Sequence, residues 1–286
     1  MAVPIFMALS GYVYTKSFLR KNIDSMEAAY NPVKIVERIL RFTVPYLLCF
    51  GVEVILDVLC EPRETIFNML ARFLRGGYGP GSYYYPVMIQ FIFIFPLIFF
   101  LIKRYQKKGL IICGIGNLIY EILIVAYMFS QESYRLLVFR YIFIIAYGCY
   151  LGIENREHNW LWELIACLVG FTFIVGYSYY GVRLPFFVFW TGTSCVAAFY
   201  ILPLIRYVVQ RMTFSFPVFS VLGRASFNIF LVQMAYYAFV DMFGVTVGIP
   251  LVDLGIVAIV CCCIGVLFYR VTEFIQIPIK KILLKI

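Results

Sequence analysis

Two arginines three residues apart, Arg38 and Arg41, are well suited to hold an anion. On a helix that spacing puts both guanidiniums on one face. Their charge and planar donors match phosphate groups. The plainer alternative is that the pair anchors a membrane helix at its inner boundary. Pro45 cannot donate to the carbonyl of Arg41, which predicts a kink there.

The acids come next. Glu121 stands alone in a long apolar run. Such a residue can pair with an arginine, bind a hydroxyl or hold a proton. Glu53 and Asp57 are four apart and share a helix face, where they either line a solvated outer mouth or touch a substrate. The segment Gly76, Gly77, Tyr78, Gly79, Pro80, Gly81 and Ser82 leads into Tyr83, Tyr84, Tyr85 and Pro86. Its glycines permit a tight, irregular backbone. No Gly-Lys-Ser/Thr follows, so it is not a phosphate loop. The tyrosines form an interfacial aromatic belt or line a sugar site. The single histidine, His158, sits beside Glu157 in a polar stretch and cannot make a zinc site by itself. The nine cysteines lie mostly inside apolar runs without a Cys-x-x-Cys pair, so they read as small apolar residues and no metal is expected.

These residues must be positioned by a very apolar chain. Of 286 residues, 63% are apolar and 14% charged, with a mean hydropathy of +0.91. Soluble domains run about 45–50% apolar and about 25% charged. That disfavours a soluble enzyme, a nucleic-acid module, a disulfide scaffold and a disordered chain. The expected fold is all-α, a polytopic membrane helical bundle forming one domain over 1–286. Apolar stretches near the length of a bilayer crossing fall at 2–18, 39–59, 83–102, 110–129, 136–153, 160–178, 186–209, 226–243 and 249–269. The tail 273–286 mixes Phe274, Ile275, Ile277, Ile279, Ile282 and Leu283 with Lys280, Lys281 and Lys285. It is expected to lie as an amphipathic segment on anionic lipid headgroups.

The net charge of +9 sits in short connecting segments, which fits a membrane better than nucleic acid. If the segment between the first two spans is cytoplasmic, inside segments carry eighteen of the 24 Lys and Arg, and outside segments carry six, Arg140 among them. The C-terminus is then cytoplasmic and the N-terminus faces outward. The apolar run from Ala2 to Val13 has no basic n-region or cleavage site, so it is no signal peptide. The expectation is a bundle short of one inward-starting helix ahead of Met1.

Four segments, in order, resemble the acyltransferase-3 family. Pro4-Ile5-Phe6 through Ser10-Gly11-Tyr12 resembles its second-helix signature. Arg38-Ile39-Leu40-Arg41 followed by Pro45-Tyr46 resembles its third-helix start. The glycine-rich loop running into tyrosines and Pro86 fits the fourth helix. Gly223-Arg224-Ala225-Ser226-Phe227-Asn228-Ile229-Phe230-Leu231-Val232-Gln233 fits a late helix. The resemblance implies a ten-helix enzyme of the bacterial cytoplasmic membrane. It would move an acyl group, often acetyl from acetyl-CoA, to a hydroxyl of a cell-envelope saccharide or lipid-linked saccharide. Acyl-CoA is then a co-substrate, with no resident cofactor.

Carried over, Arg38 and Arg41 would contact the CoA phosphates, while Ser10, Gly11, Tyr84 and Tyr85 would line the path from donor to acceptor. Glu121, Asn228 and Gln233 are added as polar lining. The family's general base is a histidine ten residues after an arginine on the first helix, which places it ahead of Met1 and leaves no catalytic residue assigned here. Gln233 stands where many members have a second histidine. Two other readings stay open. A transporter or flippase for a lipid-linked saccharide would suit Glu121, Pro45, Pro96 and Pro203, although no paired halves with broken helices occur. A non-catalytic membrane remnant is the other.

Overall fold

The computed structural model describes residues 2–60, 65–79, 81–127, 130–154, 160–181, 217–244 and 250–284. The span expected at 186–209 lies outside them, as do Arg63, Pro80, Arg156, Glu157, His158, Arg183, Cys195, Pro203, Arg206 and Arg211. Seven of the other eight expected spans each fall on one helix, and 136–153 is broken by Leu137 and a 3-10 turn before a 12-residue helix. The helices are α1 (Ala2–Arg20), α3 (Pro32–Cys60), α5 (Tyr84–Tyr105), α6 (Lys107–Ala126), α8 (Ile142–Ile153), α9 (Trp160–Tyr179), α10 (Pro217–Phe243) and α11 (Pro250–Leu284). Short helices α2 (Met26–Ala29), α4 (Ile66–Arg75) and α7 (Gln131–Leu136) connect them, and a 3-10 turn at Val138–Tyr141 leads into α8.

No strand occurs among the described residues. Five helices among the described residues are long and apolar enough to cross a membrane. The reason for the all-helical solution is the backbone, whose polar groups must be satisfied within each segment where no water reaches them. The side chains agree. On α6, Ile111, Ile115, Ile119 and Ile122 form an exposed stripe, each between 45% and 60% accessible, which is stable against lipid and costly against water. The chain is an all-α membrane bundle.

Two elements differ from expectation. The segment between the second and third spans holds α4, started by the Thr65 hydroxyl accepting the Asn68 amide and ended at Gly76 with φ +103°. Its Ile66, Phe67, Leu70 and Leu74 are exposed on one side. The lysine-bearing tail, for its part, continues the last span's helix to Leu284 instead of forming a separate element. At 35 residues α11 is about 52 Å long, well beyond the hydrocarbon thickness of about 30 Å.

The chain forms two compact units interleaved in sequence, one from 1–31 with 90–213 and the other from 32–89 with 214–286. In the first, α1 and α8 approach closely. A Cβ on Gly148 would overlap the Ala8 carbonyl oxygen, one on Gly11 would overlap that of Ile145, and one on Gly152 would meet Thr15. Gly148 and Gly152 are four apart, the small-xxx-small spacing that lets membrane helices touch along their backbones. The Thr15 hydroxyl donates to the Gly11 carbonyl at 2.7 Å. An edge-to-face ladder joins α1 to α5, with Tyr14 against Phe91 and Phe95 and Phe18 against Phe95 and Phe99. The Gln90 amide donates to Leu136 and accepts from Val138, pinning the segment before α8.

In the second unit α3, α10 and α11 pack together. Cys49 meets the Leu231 carbonyl at 3.4 Å, and Gly265 lies against Ile229 so closely that a Cβ would sit 2.5 Å from its side chain. Buried Cys49, Cys113, Cys149 and Cys261 are free thiols.

A Gly148→Ala substitution must push α1 and α8 apart at a backbone contact. It is expected to cost about 1–3 kcal/mol, whereas Gly116→Ala, with open space around it, is neutral or slightly stabilising. Reversible unfolding in detergent measures both. Equal effects would show that the close approach does not contribute to stability.

Candidate functional site

The basic pair lies on the N-terminal turns of α3, Arg38 half-buried and Arg41 exposed. The helix runs through Pro45 as one element. Just past the arginines it is braced on several sides. Phe42 packs edge-to-face on Phe227 of α10 at 4.9 Å. The Thr43 and Tyr85 hydroxyls share a hydrogen bond of 3.1 Å. Tyr46, only 1% exposed, stacks on Tyr85 at 3.7 Å and donates to the Phe73 carbonyl at 2.6 Å. The helix that presents the arginines is therefore held by buried rings whose hydroxyls have partners.

Tyr84 and Tyr85 are adjacent but diverge. Tyr85 turns to α3, while Tyr84 is buried and packs on Phe227 and Phe230 of α10. Neither simply floats in an interfacial belt. Asn228 is buried and donates through its amide to Thr272 on α11 at 3.0 Å. Gln233 is half-buried and donates to Tyr237 on its own helix at 3.2 Å. Thus Arg38, Arg41, Tyr84, Tyr85, Asn228 and Gln233 all belong to the second unit, tied through α3, α10 and the start of α5.

The glycine loop is anchored at the far end of α3. The Tyr78 amide donates to Glu53 at 3.2 Å, and the Tyr78 hydroxyl donates to Asp57 at 3.4 Å. Both acids are buried, at 4% and 8% exposure. The Arg72 guanidinium lies over the Tyr78 ring, 4.4 Å from its centre. Gly77 has φ +117°, and a Cβ there would collide with the Glu53 carboxylate. Only glycine fits that position on both counts. In place of a solvated mouth, the Glu53–Asp57 face is the peg on which the loop folds. A further brace is the Gly81 amide, which meets the Met234 sulfur at 3.0 Å.

Ser10, Gly11 and Glu121 belong to the first unit. Ser10 is half-buried on α1, beside the Gly11 contact. Glu121 is 1% exposed and accepts from the Tyr134 hydroxyl at 3.1 and 3.3 Å. Of the roles open to it, hydroxyl binding is seen in this bond. Arg140, counted from sequence among the outside charges, is 4% exposed, with Tyr134 and Tyr141 rings 4.8 and 4.5 Å from its guanidinium. Burial and the Glu121 carboxylate push the Tyr134 phenol upward, and Arg140 opposes them. The arginine sits between aromatic faces that suit its planar cation. The sequence signal was the Arg140-Tyr141 dipeptide near Tyr134. Thr43, Thr272 and Tyr134 carried no such mark, because a hydroxyl becomes a partner only when another helix arrives.

Among the described residues no group of His, Cys, Asp and Glu could hold a metal ion. A family model described as an acyltransferase domain matches residues 1–270. No curated protein and no solved structure matches the chain.

Glu121→Leu strands the Tyr134 hydroxyl and is expected to cost about 1–3 kcal/mol. Glu121→Gln keeps an acceptor and retains most of the stability. Chemical unfolding of the purified protein distinguishes them, and equal losses would rule out the hydrogen bond as the source.

Proposed function

This chain belongs to the acyltransferase-3 family, and from that premise we propose that it moves an acyl group, acetyl in the simplest case, from acyl-CoA to a hydroxyl of a cell-envelope saccharide or lipid-linked saccharide. The general activity, a multi-pass membrane acyltransferase, follows from the family and the apolar helices. The donor and acceptor are our reading. In the reaction the hydroxyl oxygen bonds to the acyl carbon, the carbon–sulfur bond of the thioester breaks, and the hydroxyl proton ends on the CoA thiol.

The observation that carries the donor assignment is the arginine pair on a braced helix. Arg38 and Arg41 stand three apart, one half-buried and one exposed. Thr43, Tyr46 and Phe42 fix the helix immediately beyond them. A rigid pair of guanidiniums can meet phosphate oxygens with little loss of freedom on binding. The positive-inside distribution supports a cytoplasmic location for this end of α3 and for the C-terminus, in a bacterial cytoplasmic membrane. That is the side on which acyl-CoA is made. In this reading Tyr84 and Tyr85 line the donor–acceptor path within the second unit, with Asn228 and Gln233 as polar lining beside them.

The test is acyl transfer by the native protein purified from its source membranes, in proteoliposomes, with labelled acetyl-CoA supplied to the face bearing Arg41. Arg41→Ala is expected to raise the KM for acyl-CoA about tenfold or more with a smaller change in kcat. Arg41→Lys recovers only part, because an ammonium lacks the fork of donors. Saccharide flux independent of CoA would replace this reading with a carrier. Unchanged transfer in both single alanine variants would remove the arginines from the donor site.

A further inference from the structure

The late helix brings a third arginine to the same level of the second unit. Three contacts set that level. Phe42 of α3 meets Phe227 of α10, Asn228 of α10 donates to Thr272 of α11, and Gln276 of α11 donates to the Leu40 carbonyl of α3 at 3.4 Å. Arg41 lies between Leu40 and Phe42 in sequence. Arg224 lies one helical turn before Asn228, and Tyr269 lies just under one turn before Thr272, whose hydroxyl donates to the Tyr269 carbonyl at 2.9 Å. Arg41 and Arg224 accordingly both come close enough to the Tyr269 phenol to interact with it electrostatically.

The charges here do not balance internally. Arg41, Arg224 and Arg270 are all exposed. The acids at this level are Glu37, one turn before Arg41 on α3, and Glu273 on α11. Glu273 is already engaged, accepting from the Tyr269 hydroxyl with Arg270 4.0 Å away. Among the described residues, Arg224 makes one hydrogen bond, a long one from its Nε to the Ser220 carbonyl of its own helix at 3.4 Å. Like charges gathered from three helices repel unless an anion offsets them. One with several phosphates fits better than one with a single charge.

We infer that Arg224 is a further binding residue for the phosphates of acyl-CoA, meeting from α10 the phosphate groups that Arg38 and Arg41 meet from α3. This rests on the donor reading above. It extends the site from one helix to a cleft walled by α3 and α10, with Tyr269 and Glu273 of α11 at its side. Binding of CoA then ties the two helices together across the inner boundary.

The test is equilibrium binding of labelled CoA to the full chain in nanodiscs made only of zwitterionic lipid. Arg224→Ala is expected to weaken CoA about tenfold, as Arg41→Ala does, and Arg224→Lys less than that. The Arg224→Ala loss shrinks as salt rises, since it is a loss of charge pairing. Thermal unfolding without CoA is expected to match the wild type, because the side chain is exposed. If Arg41→Ala loses CoA and Arg224→Ala does not, the inference is overturned while the donor reading stands. If the wild type binds no CoA, both fall. A lipid headgroup as the true ligand would leave CoA binding unchanged in Arg224→Ala and, in a second set of nanodiscs doped with phosphatidylglycerol, reduce binding of that lipid, which also overturns the inference.

Discussion

Apolar side chains alone cannot hold this protein together, because lipid tails solvate them as well as a neighbouring helix does. Close backbone approach and polar bonds between helices must supply the specificity. The first unit relies on approach: Gly11, Gly148 and Gly152 let α1 and α8 meet along their backbones. The second relies more on ties, from Asn228 to Thr272, Gln276 to Leu40, and Cys49 to Leu231. Each tie satisfies a polar group that would otherwise face hydrocarbon. The apolar stripe of α6 is left for the membrane by the same logic.

Buried and exposed charges have separate fates. The acids inside the fold are consumed by structure, Glu53 and Asp57 holding the glycine loop through Tyr78 and Glu121 holding Tyr134. Arg140 is buried among aromatic rings near the same tyrosine. Arg41 and Arg224 are different, for they stand exposed on helices braced behind them by packed rings. Rigid backing with an open face is what recognition of a charged ligand requires. That contrast directs attention to the arginines as the binding groups and to the buried acids as scaffolding.

The tyrosines link these two layers. Tyr85 and Tyr46 stack to lock α3 against the loop and α4, and Tyr84 reaches the rings of α10. The loop held by Glu53 leads directly into these residues. The loop and the braced part of α3 thus share one set of packed aromatic contacts, Tyr78 with Phe50 and Tyr85 with Tyr46.

The sequence by itself determined the all-helical membrane class, since hydropathy and length are properties of consecutive residues. Seven of its nine expected spans fall on single helices for the same reason, while 136–153 is broken by a 3-10 turn before α8 and 186–209 lies outside the described residues. It also singled out Arg38, Arg41 and Glu121, because charge at the edge or centre of an apolar run is visible without a fold. Only the tertiary structure decided what those residues touch. That Glu121 meets Tyr134, that Arg140 is buried, that Gly11 is a backbone contact and that Arg224 reaches the level of Arg41 all depend on helices distant in sequence. Helical periodicity gives the face a residue occupies, but the neighbour that face meets is set by packing between segments.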